Sequence, residues 1–328
     1  MRRSRKPIII ASRRSTLART QAEMVGRALA KLHPNVQIQY KWIESEGDQL
    51  ADQPLTDIGG KGLFTRSIER SLLSKQADIA VHSLKDLPAL DTPGLMIAAV
   101  PKRAIVNDCL ITPNNIKSLK ELPENAVVGT ASPRRAAQLK QHRPDIQTKL
   151  IRGNLDTRID KVLTPAGEKE FDATLLAAAG LRRLKKLDLA ENTIPTDIIL
   201  PAACQAALAI QCRSDDHVTL TRCLPLNHPG SATAVHAERQ ILADLEADCH
   251  AAIAVLAEPL ETGDTLNKQI GDQNYRLRIR IFSPSAERHI EFDQTTKTKE
   301  LRRLLKTAVR QLKDQGADDL LHPQTIGV

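Results

Sequence analysis

Paired arginines stand at a point where a predicted strand runs into a predicted helix. The stretch VVGTASPRRAAQLK, residues 127–140, predicts a strand, a turn, and a helix that Ser132 caps and Pro133 begins. Arg134 and Arg135 then occupy the first helical turn, where the helix dipole disfavours a cation by roughly 0.3–1 kcal/mol. Arginine also tolerates an exposed first turn, so surface placement is one interpretation. The other is an anion site, because a helix N-terminus with hydroxyl and guanidinium donors binds anions well.

The same arrangement recurs along the chain, which favours the anion site. Arginines follow a predicted strand or enter the next predicted helix in three further stretches: IIIASRRS with Arg13 and Arg14, KLIRGNLDTR with Arg152 and Arg158, and LAAAGLRRL with Arg182 and Arg183. Ligands of open α/β sheets bind at the carboxyl ends of strands, where loops enter helices. Arginine suits planar, bidentate partners, either carboxylate or phosphate. Because GGKG at residues 59–62 lacks the spacing of a nucleotide-binding P-loop, carboxylates are the expected ligands.

A second polar cluster closes the strand-like stretch ADIAVHSLKDLP, residues 77–88. Ser83, Lys85 and Asp86 are expected close together, at the same sheet edge as the arginines. Lys85 and Asp86 could be ordinary turn residues, since Asp often opens turns. The chemical interpretation is that a carboxylate beside an arginine-lined cleft faces a cation that forms during a reaction. The spacing of Ser83 and Lys85 supports a Ser–Lys hydrolase pair only weakly.

The elements that must position these residues alternate between strand and helix, which predicts an α/β fold. The first unit has strand patterns at 7–12, 36–45 and the start of 77–88, with helices at 16–32 and within 57–76. A second unit begins near Asp108 and repeats strand, turn and helix. We interpret TIPTDIILPAACQAALAIQCR, residues 193–213, as a return segment that ends in a helix.

The alternation of predicted strands and helices ends at about Leu224. A helix at 232–247, three strand-like runs and a closing helix at about 297–315 predict a small α+β domain. In the middle run, YRLRIRIF, the arginines 276, 278 and 280 share one face of the strand. We expect that face to be solvated.

The composition limits the classes of function. The 328 residues are 41% hydrophobic and 26% charged, and no apolar run approaches the ~18 residues of a membrane span. The apolar run in the starting stretch MRRSRKPIIIASRRS is too short for the core of a signal peptide, so we expect a cytoplasmic protein. The five cysteines show no C-x-x-C spacing, which argues against a metal site or a disulfide framework. A net charge of +8 with only four Phe, two Tyr and one Trp favours an acidic small molecule over nucleic acid.

Five stretches of the sequence carry a family likeness. DIAVHSLKDLP, GGKGLF, VGTASPRR, IRGNLDTR and AAGLRRL resemble the porphobilinogen deaminases, or hydroxymethylbilane synthases, and the likeness extends over roughly residues 7–320. That family joins four porphobilinogen molecules head to tail and releases ammonia each time. It does so on a dipyrromethane cofactor that a cysteine holds through a thioether. Each pyrrole carries an acetate and a propionate, which would explain the arginines.

The resemblance implies an α/β fold of three domains, two periplasmic-binding-protein-like lobes with a central cleft and a small α+β C-terminal domain. We expect residues 1–103 with 203–221 to form the first lobe, 104–202 the second, and 222–328 the small domain that carries the cofactor cysteine. The protein is then expected to be a transferase of tetrapyrrole (haem) biosynthesis that acts as a monomer on porphobilinogen, without nucleic-acid or membrane partners.

The resemblance also assigns roles to particular residues. Asp86 matches the catalytic aspartate, whose carboxylate would stabilise the azafulvenium cation left when ammonia departs, with Lys85 and Arg13 beside it. Cys249 matches the attachment point of the dipyrromethane. Further cofactor contacts are implied for Ser83, Lys85, Thr130, Ser132, Arg134, Arg135, Arg158 and Arg183. Substrate contacts are implied for Arg13, Ser15, Gln21, Lys61, Phe64, Arg152 and Arg158.

The chain departs from the family pattern in two places. Ala247 and Asp248 precede Cys249, where the family has two glycines, and Cys204-Gln205-Ala206 stands in place of Gly-Gln-Gly. Replacing glycine restricts the backbone. A two-lobe carboxylate receptor or sensor without catalysis is the rival interpretation, because a fold alone does not give a function. A nucleic-acid-binding protein is a third, and it rests on net charge and the basic start alone.

Overall fold

The chain folds into two compact units in a computed structural model. The structure describes residues 5–44, 65–113, 116–164, 167, 170–247, 251–260 and 273–322. The first unit consists of Met1–Ile105, Ala179–Lys186 and Gln205–Ala232, and the second of Val106–Ala178, Leu187–Cys204 and Thr233–Val328. The finer division into three domains stays a prediction.

The described helices and strands follow in chain order. The strands are β1 (Arg5–Arg13), β2 (Val36–Ile43), β3 (Ile79–Ser83), β4 (Leu95–Ala99), β5 (Asp108–Ile111), β6 (Val127–Gly129), β7 (Gln147–Lys149), β8 (Ala173–Ala177), β9 (Leu208–Arg213), β10 (Ile253–Leu260), β11 (Asn274–Phe282) and β12 (His289–Lys297). The helices are α1 (Thr16–Leu32), α2 (Arg66–Leu73), α3 (Pro133–His142), α4 (Leu155–Leu163), α5 (Ala178–Arg183), α6 (Leu187–Glu191), α7 (His217–Cys223), α8 (Pro229–Asp244), α9 (Leu301–Asp314) and α10 (Ala317–Leu321). None of these helices is long and apolar enough to cross a membrane.

The sheet of the first unit has five strands in the order β2-β1-β3-β9-β4. Strand β1 pairs in parallel with β2 and with β3. The carboxyl ends of β1 and β3 therefore meet at one edge, next to Arg13 and Ser83. Helix α1 packs Ala22, Val25 and Leu29 into the core of this sheet, because these residues recur at the spacing of one helical face.

Strand β9 corrects one prediction from the sequence. The run LAIQCR was expected in a helix, but it forms a strand between β3 and β4, antiparallel to both. All six residues are buried, so no alternation of polar and apolar residues marks the strand. The alanine-rich segment has a local preference for helix, and pairing with strands far away in sequence overrides that preference.

The second unit contains a four-stranded sheet in the order β5-β8-β6-β7. Strand β6 is parallel to β7 and to β8, whereas β5 is antiparallel to β8. The carboxyl ends of β6 and β7 again share an edge, and α3 and α4 begin shortly after it. The mixed α/β class expected from the sequence is confirmed, with a small antiparallel sheet, β10-β11-β12, near the C-terminus.

The arginine face of β11 is not the solvated surface that the sequence suggested. Arg278 is only 6% exposed and donates to Asp197 (2.6 Å) and Glu258 (2.8 Å). Arg280 donates to the backbone carbonyl of Asp197 at 2.9 Å. Only Arg276 meets the expectation of an accessible side chain, and it pairs with Asp293 on the neighbouring strand. The face is thus largely taken up by contacts within the second unit, which no local pattern reveals.

The substituted glycine positions keep a backbone shape that favours glycine. Cys204 has φ of 60° and Ala206 has φ of 71°, both in the left-handed region. The N–H of Cys204 donates to the buried carboxylate of Glu238 at 2.5 Å. Glu238 also accepts a hydrogen bond from the N–H of Ala257 at 2.8 Å. These contacts hold the strained conformation of Cys204 in place.

Candidate functional site

A pocket opens at the edge of the first unit where β1 and β3 end. It has a volume of about 70 Å³. Its wall includes five residues that the sequence singled out: Arg13, Ser15, Gln21, Ser83 and Asp86. The parallel pairing of β1 with β3 brings these residues together although some 70 positions separate them in the chain.

The first helix fixes one side of this pocket. Ser15 is the N-cap of α1, and its hydroxyl accepts a hydrogen bond from the N–H of Ala18. Gln21 is buried one turn further along, and Ser83 Oγ lies 2.9 Å from its Nε2 and 3.0 Å from its Oε1. This contact ties the helix to the end of β3.

A 3-10 turn, Leu84–Asp86, places the two charged residues of the second polar cluster. The N–H of Leu84 donates to the carbonyl of Ala207 at 3.0 Å, and its side chain is buried. With Leu84 anchored in the core, Lys85 and Asp86 lie on the exposed side of the turn. Asp86 lines the pocket, and Lys85 is exposed beside it.

The pocket wall also contains His82, which sequence reasoning missed. The ring is 5% exposed, and its Nε2 lies 3.0 Å from Oε1 of Gln211 on β9. Burial, helped by the nearby charge of Arg13, lowers the pKa of His82 to about 4 against the opposing effects of Gln211 and Asp86. The available signal was a single ionisable residue directly after the apolar run Ile-Ala-Val in IAVHS.

The depressed pKa of His82 predicts a loss of stability in acid. Between pH 6.5 and about 4 the unfolded chain binds a proton at this residue and the folded chain does not, so acid favours unfolding. The neutral ring thus contributes to the free energy of unfolding at pH 7, and this contribution is fully lost below about pH 4. It amounts to about 3 kcal/mol, from 1.36 kcal/mol for each pKa unit. Urea unfolding at pH 7 and pH 4 should show a smaller acid loss for His82→Gln than for the unsubstituted chain. Equal losses would contradict the assignment.

The second unit places Thr130 and Ser132 at the start of α3. Ser132 is the N-cap, and its hydroxyl accepts from the N–H of Arg135 at 3.4 Å. The Ser132 N–H itself donates to the hydroxyl of Thr130 at 3.1 Å. The turn thus has the capped, hydroxyl-rich form that the sequence predicts.

Arg134 and Arg135 are buried at 4% and 7% exposure, and both guanidinium groups bind Asp108. Arg134 donates to Oδ2 of Asp108 at 2.9 Å, and Arg135 donates to Oδ1 at 2.6 Å. Burial alone would raise the pKa of Asp108, but the two arginines outweigh it and hold that pKa far below its usual range. A single anion inside the protein therefore pairs with both cations at the positive end of this helix. Their contact with a ligand stays a prediction.

The remaining arginines lie at other helix ends. Arg152 and Arg158 are half-buried around the N-terminus of α4, and Arg158 Nε donates to the carbonyl of Gly153 at 2.9 Å. Gly153 has φ of 115°, which suits glycine at this turn. Arg183 ends α5, donates to the carbonyl of Ala206 at 2.6 Å, and has a pKa lowered by burial to about 10. Lys61, Phe64 and Cys249 lie outside the described residues.

A carboxylate, an arginine and hydroxyl groups at the ends of parallel strands define an α/β protein equipped for an anionic small molecule. Comparison with known proteins identifies a family within this class. A family model described as the dipyrromethane cofactor-binding domain of porphobilinogen deaminase matches residues 8–221. Porphobilinogen deaminases of Staphylococcus aureus strains Newman and JH9 are each 36% identical to this chain, covering 96% of it and 97% of their own length.

Two solved structures also align with the chain. The effector-binding domain of BenM with benzoate covers 73% of this chain and 92% of its own, at 12% identity and a TM-score of 0.40. A Candida albicans protein with the periplasmic binding protein fold covers 71% of this chain and 70% of its own, at 12% identity and a TM-score of 0.36.

The chain belongs to the porphobilinogen deaminase family. The resemblance found in the sequence is therefore confirmed, and with it the assignment to a family of transferases in tetrapyrrole biosynthesis. The match to the cofactor-binding domain also supports dipyrromethane as the cofactor class. These findings favour the enzyme over the receptor without catalysis.

Proposed function

We propose that this chain condenses four porphobilinogen molecules head to tail into hydroxymethylbilane and releases ammonia at each step. The observation that carries the proposal is the pocket of the first unit, which both Asp86 and Arg13 line in a member of this family. Conversion of porphobilinogen by the purified chain, followed as uroporphyrin after oxidation of the linear product, tests it. Binding of porphobilinogen without turnover would instead indicate the receptor.

Asp86 supplies the electrostatic part of the reaction. As ammonia leaves, positive charge develops on the substrate pyrrole, and a carboxylate at the pocket stabilises that charge more than it stabilises the neutral ring. The Leu84–Asp86 turn is anchored in the core, so the carboxylate is held in place before the substrate arrives. Preorganisation of this kind avoids reorganising the charge during the reaction.

The acetate and propionate of the substrate need cationic and hydroxyl donors. Arg13 at the end of β1, together with Ser15 and Gln21 of the α1 region, lines the pocket and fits that requirement. Lys85 lies beside Asp86 and adds a cation to the same turn. We assign the further substrate contacts to Lys61, Phe64, Arg152 and Arg158 from the family motif.

The residues present fit a dipyrromethane with carboxylate side chains. Thr130 and Ser132 offer hydroxyl groups at the N-terminus of α3, and half-buried Arg158 lies near the N-terminus of α4. When bound, the cofactor supplies the pyrrole end from which the product chain grows. We assign its remaining contacts to Ser83, Lys85, Arg134, Arg135 and Arg183. To contact the cofactor, Arg134 and Arg135 must bind Asp108 and a cofactor carboxylate at the same time.

Cys249 is the proposed attachment residue. The side chains of Cys109, Cys204, Cys212 and Cys223 are all buried, at most 2% exposed. Burial also raises the pKa of Cys212 to about 11 and that of Cys223 to about 12, which disfavours the thiolate. None of these four thiols suits thioether formation with a cofactor, which leaves Cys249.

Replacing Cys249 with serine should abolish cofactor attachment. We expect Cys249→Ser to have the mass of the bare polypeptide and no pyrrole colour reaction, because its side chain can form no thioether. Intact-mass spectrometry of the purified proteins measures this directly. Cys212→Ala is the matched control and should keep the two-pyrrole adduct. An adduct on the Cys249 variant would show that another residue carries the cofactor.

The proposal also takes the enzyme to act as a cytoplasmic monomer without nucleic-acid or membrane partners. Light scattering of the cofactor-loaded protein should then give the mass of one chain. A dimer mass would require a revised oligomeric state without affecting the assigned reaction.

A further inference from the structure

Behind the pocket, three polar side chains form a buried chain of hydrogen bonds. His82 Nε2 lies 3.0 Å from Gln211 Oε1, and Gln211 Nε2 donates to Glu69 Oε1 at 2.9 Å. The exposures of His82, Gln211 and Glu69 are 5%, 0% and 6%. Burying a chain of polar groups costs free energy unless the groups satisfy each other's hydrogen bonds. The direction of each hydrogen bond in the chain therefore matters.

The hydrogen-bonding capacities of the three groups fix the direction of the chain. The carboxylate of Glu69 only accepts, so the NH2 group of the Gln211 amide must face it. The amide oxygen of Gln211 then faces His82, and an oxygen of this kind also only accepts. His82 Nε2 must therefore carry the proton, and in the uncharged ring Nδ1 is left with a lone pair.

The His82 ring forms part of the pocket wall beside Asp86 and Arg13. Those two groups, with Glu69 behind Gln211, are the charged groups that bear on the ring from β1, α2 and the Leu84–Asp86 turn. In the described part of the chain, Gln211 is the one hydrogen-bond partner of the ring, and it occupies Nε2. The lone pair of Nδ1 thus remains available to a ligand.

We propose that Glu69 and Gln211 position His82 so that its Nδ1 accepts a hydrogen bond from an N–H group of the bound substrate. The inference rests on the proposed function, since the donor is a nitrogen of porphobilinogen. His82 then adds an uncharged acceptor to a pocket whose charged groups are Asp86 and Arg13. Because it carries no proton at Nδ1, it holds the substrate nitrogen without opposing the positive charge that Asp86 stabilises.

Two substitutions separate the two ring nitrogens. His82→Gln keeps a donor near the position of Nε2, which can still reach Gln211, but removes the acceptor at Nδ1. His82→Asn places an amide near the position of Nδ1 and loses the link to Gln211. We expect kcat/KM to fall about three- to tenfold more in His82→Gln than in His82→Asn, the range for one neutral hydrogen bond. The opposite order would mean that His82 acts only through its structural link.

Nitrogen NMR of protein labelled in histidine tests the tautomer without relying on activity. We expect an unprotonated Nδ1 and a protonated Nε2 at pH 7. Glu69→Gln should mix the tautomers, because a second amide no longer dictates which way Gln211 points. Two ligands identify which N–H of the substrate donates. If the Nδ1 signal moves when a pyrrole with the same acid side chains but no aminomethyl group binds, the donor is the ring N–H. If the signal moves only when porphobilinogen binds the Asp86→Asn variant, the donor is the aminomethyl group.

A protonated Nδ1, or a signal that neither ligand moves, would overturn the inference. This failure is distinct from failure of the proposed function. If the unsubstituted chain converts no porphobilinogen, the function is wrong whatever the tautomer. If it does convert porphobilinogen while His82→Gln retains full kcat/KM, only the role of His82 is wrong.

Discussion

Asp86→Asn is expected to lower turnover of porphobilinogen about 100- to 1,000-fold, which is the usual effect of removing one preorganised electrostatic partner. Asparagine keeps the shape and most of the hydrogen bonding of the side chain but loses the charge. Since Asp86 is exposed on a turn that Leu84 anchors, the folded structure should persist. The assay is the rate of uroporphyrin formation after oxidation, with circular dichroism as the check on folding.

Two further variants define what the assay measures. Asp86→Glu keeps the charge one methylene further out and should retain more activity than Asp86→Asn. Asp215→Asn removes an exposed carboxylate just after β9, which runs antiparallel to β3 and so ends at the opposite edge of the sheet. It should turn over normally. Near-normal turnover by Asp86→Asn would exclude the electrostatic role.

The second large effect concerns stability. Asp108→Asn is expected to lower the free energy of unfolding by about 3–5 kcal/mol, because it leaves Arg134 and Arg135 buried without their carboxylate. Asparagine has nearly the same volume, so the loss reports charge and not packing. Urea unfolding followed by circular dichroism measures it.

An exposed ion pair serves as the control for this substitution. Asp293 pairs with Arg276 at 2.6 Å, and both side chains are over a third exposed. Asp293→Asn should therefore change the free energy of unfolding by only about 0.2–1 kcal/mol. If both substitutions had the same small effect, Asp108 would not be the partner that makes two buried arginines tolerable. The arginine pair would then be free to serve a ligand alone.

Local sequence patterns determined most of the elements. Helix α1 was expected at 16–32 and spans Thr16–Leu32, because Ser15 caps it and its apolar residues keep helical spacing. Strand β3 and its polar turn follow from IAVHS and LKD in the same way. The motif residues Arg13 and Asp86 could be picked out because strand ends and turns are local signals. Family likeness then gave them a chemistry that their types alone left open.

Tertiary pairing decided the rest. LAIQCR forms a strand because β3 and β4 supply its hydrogen bonds, and no residue within the segment indicates those partners. The burial of Arg134 and Arg135 depends on Asp108, which lies on strand β5 and looks from the sequence like the start of an apolar run. His82 likewise gains its fixed tautomer from Gln211 and Glu69, over a hundred positions apart from each other. A sequence records capping and periodicity within a few residues, whereas burial and ion pairing depend on contacts that exist only after the chain has folded.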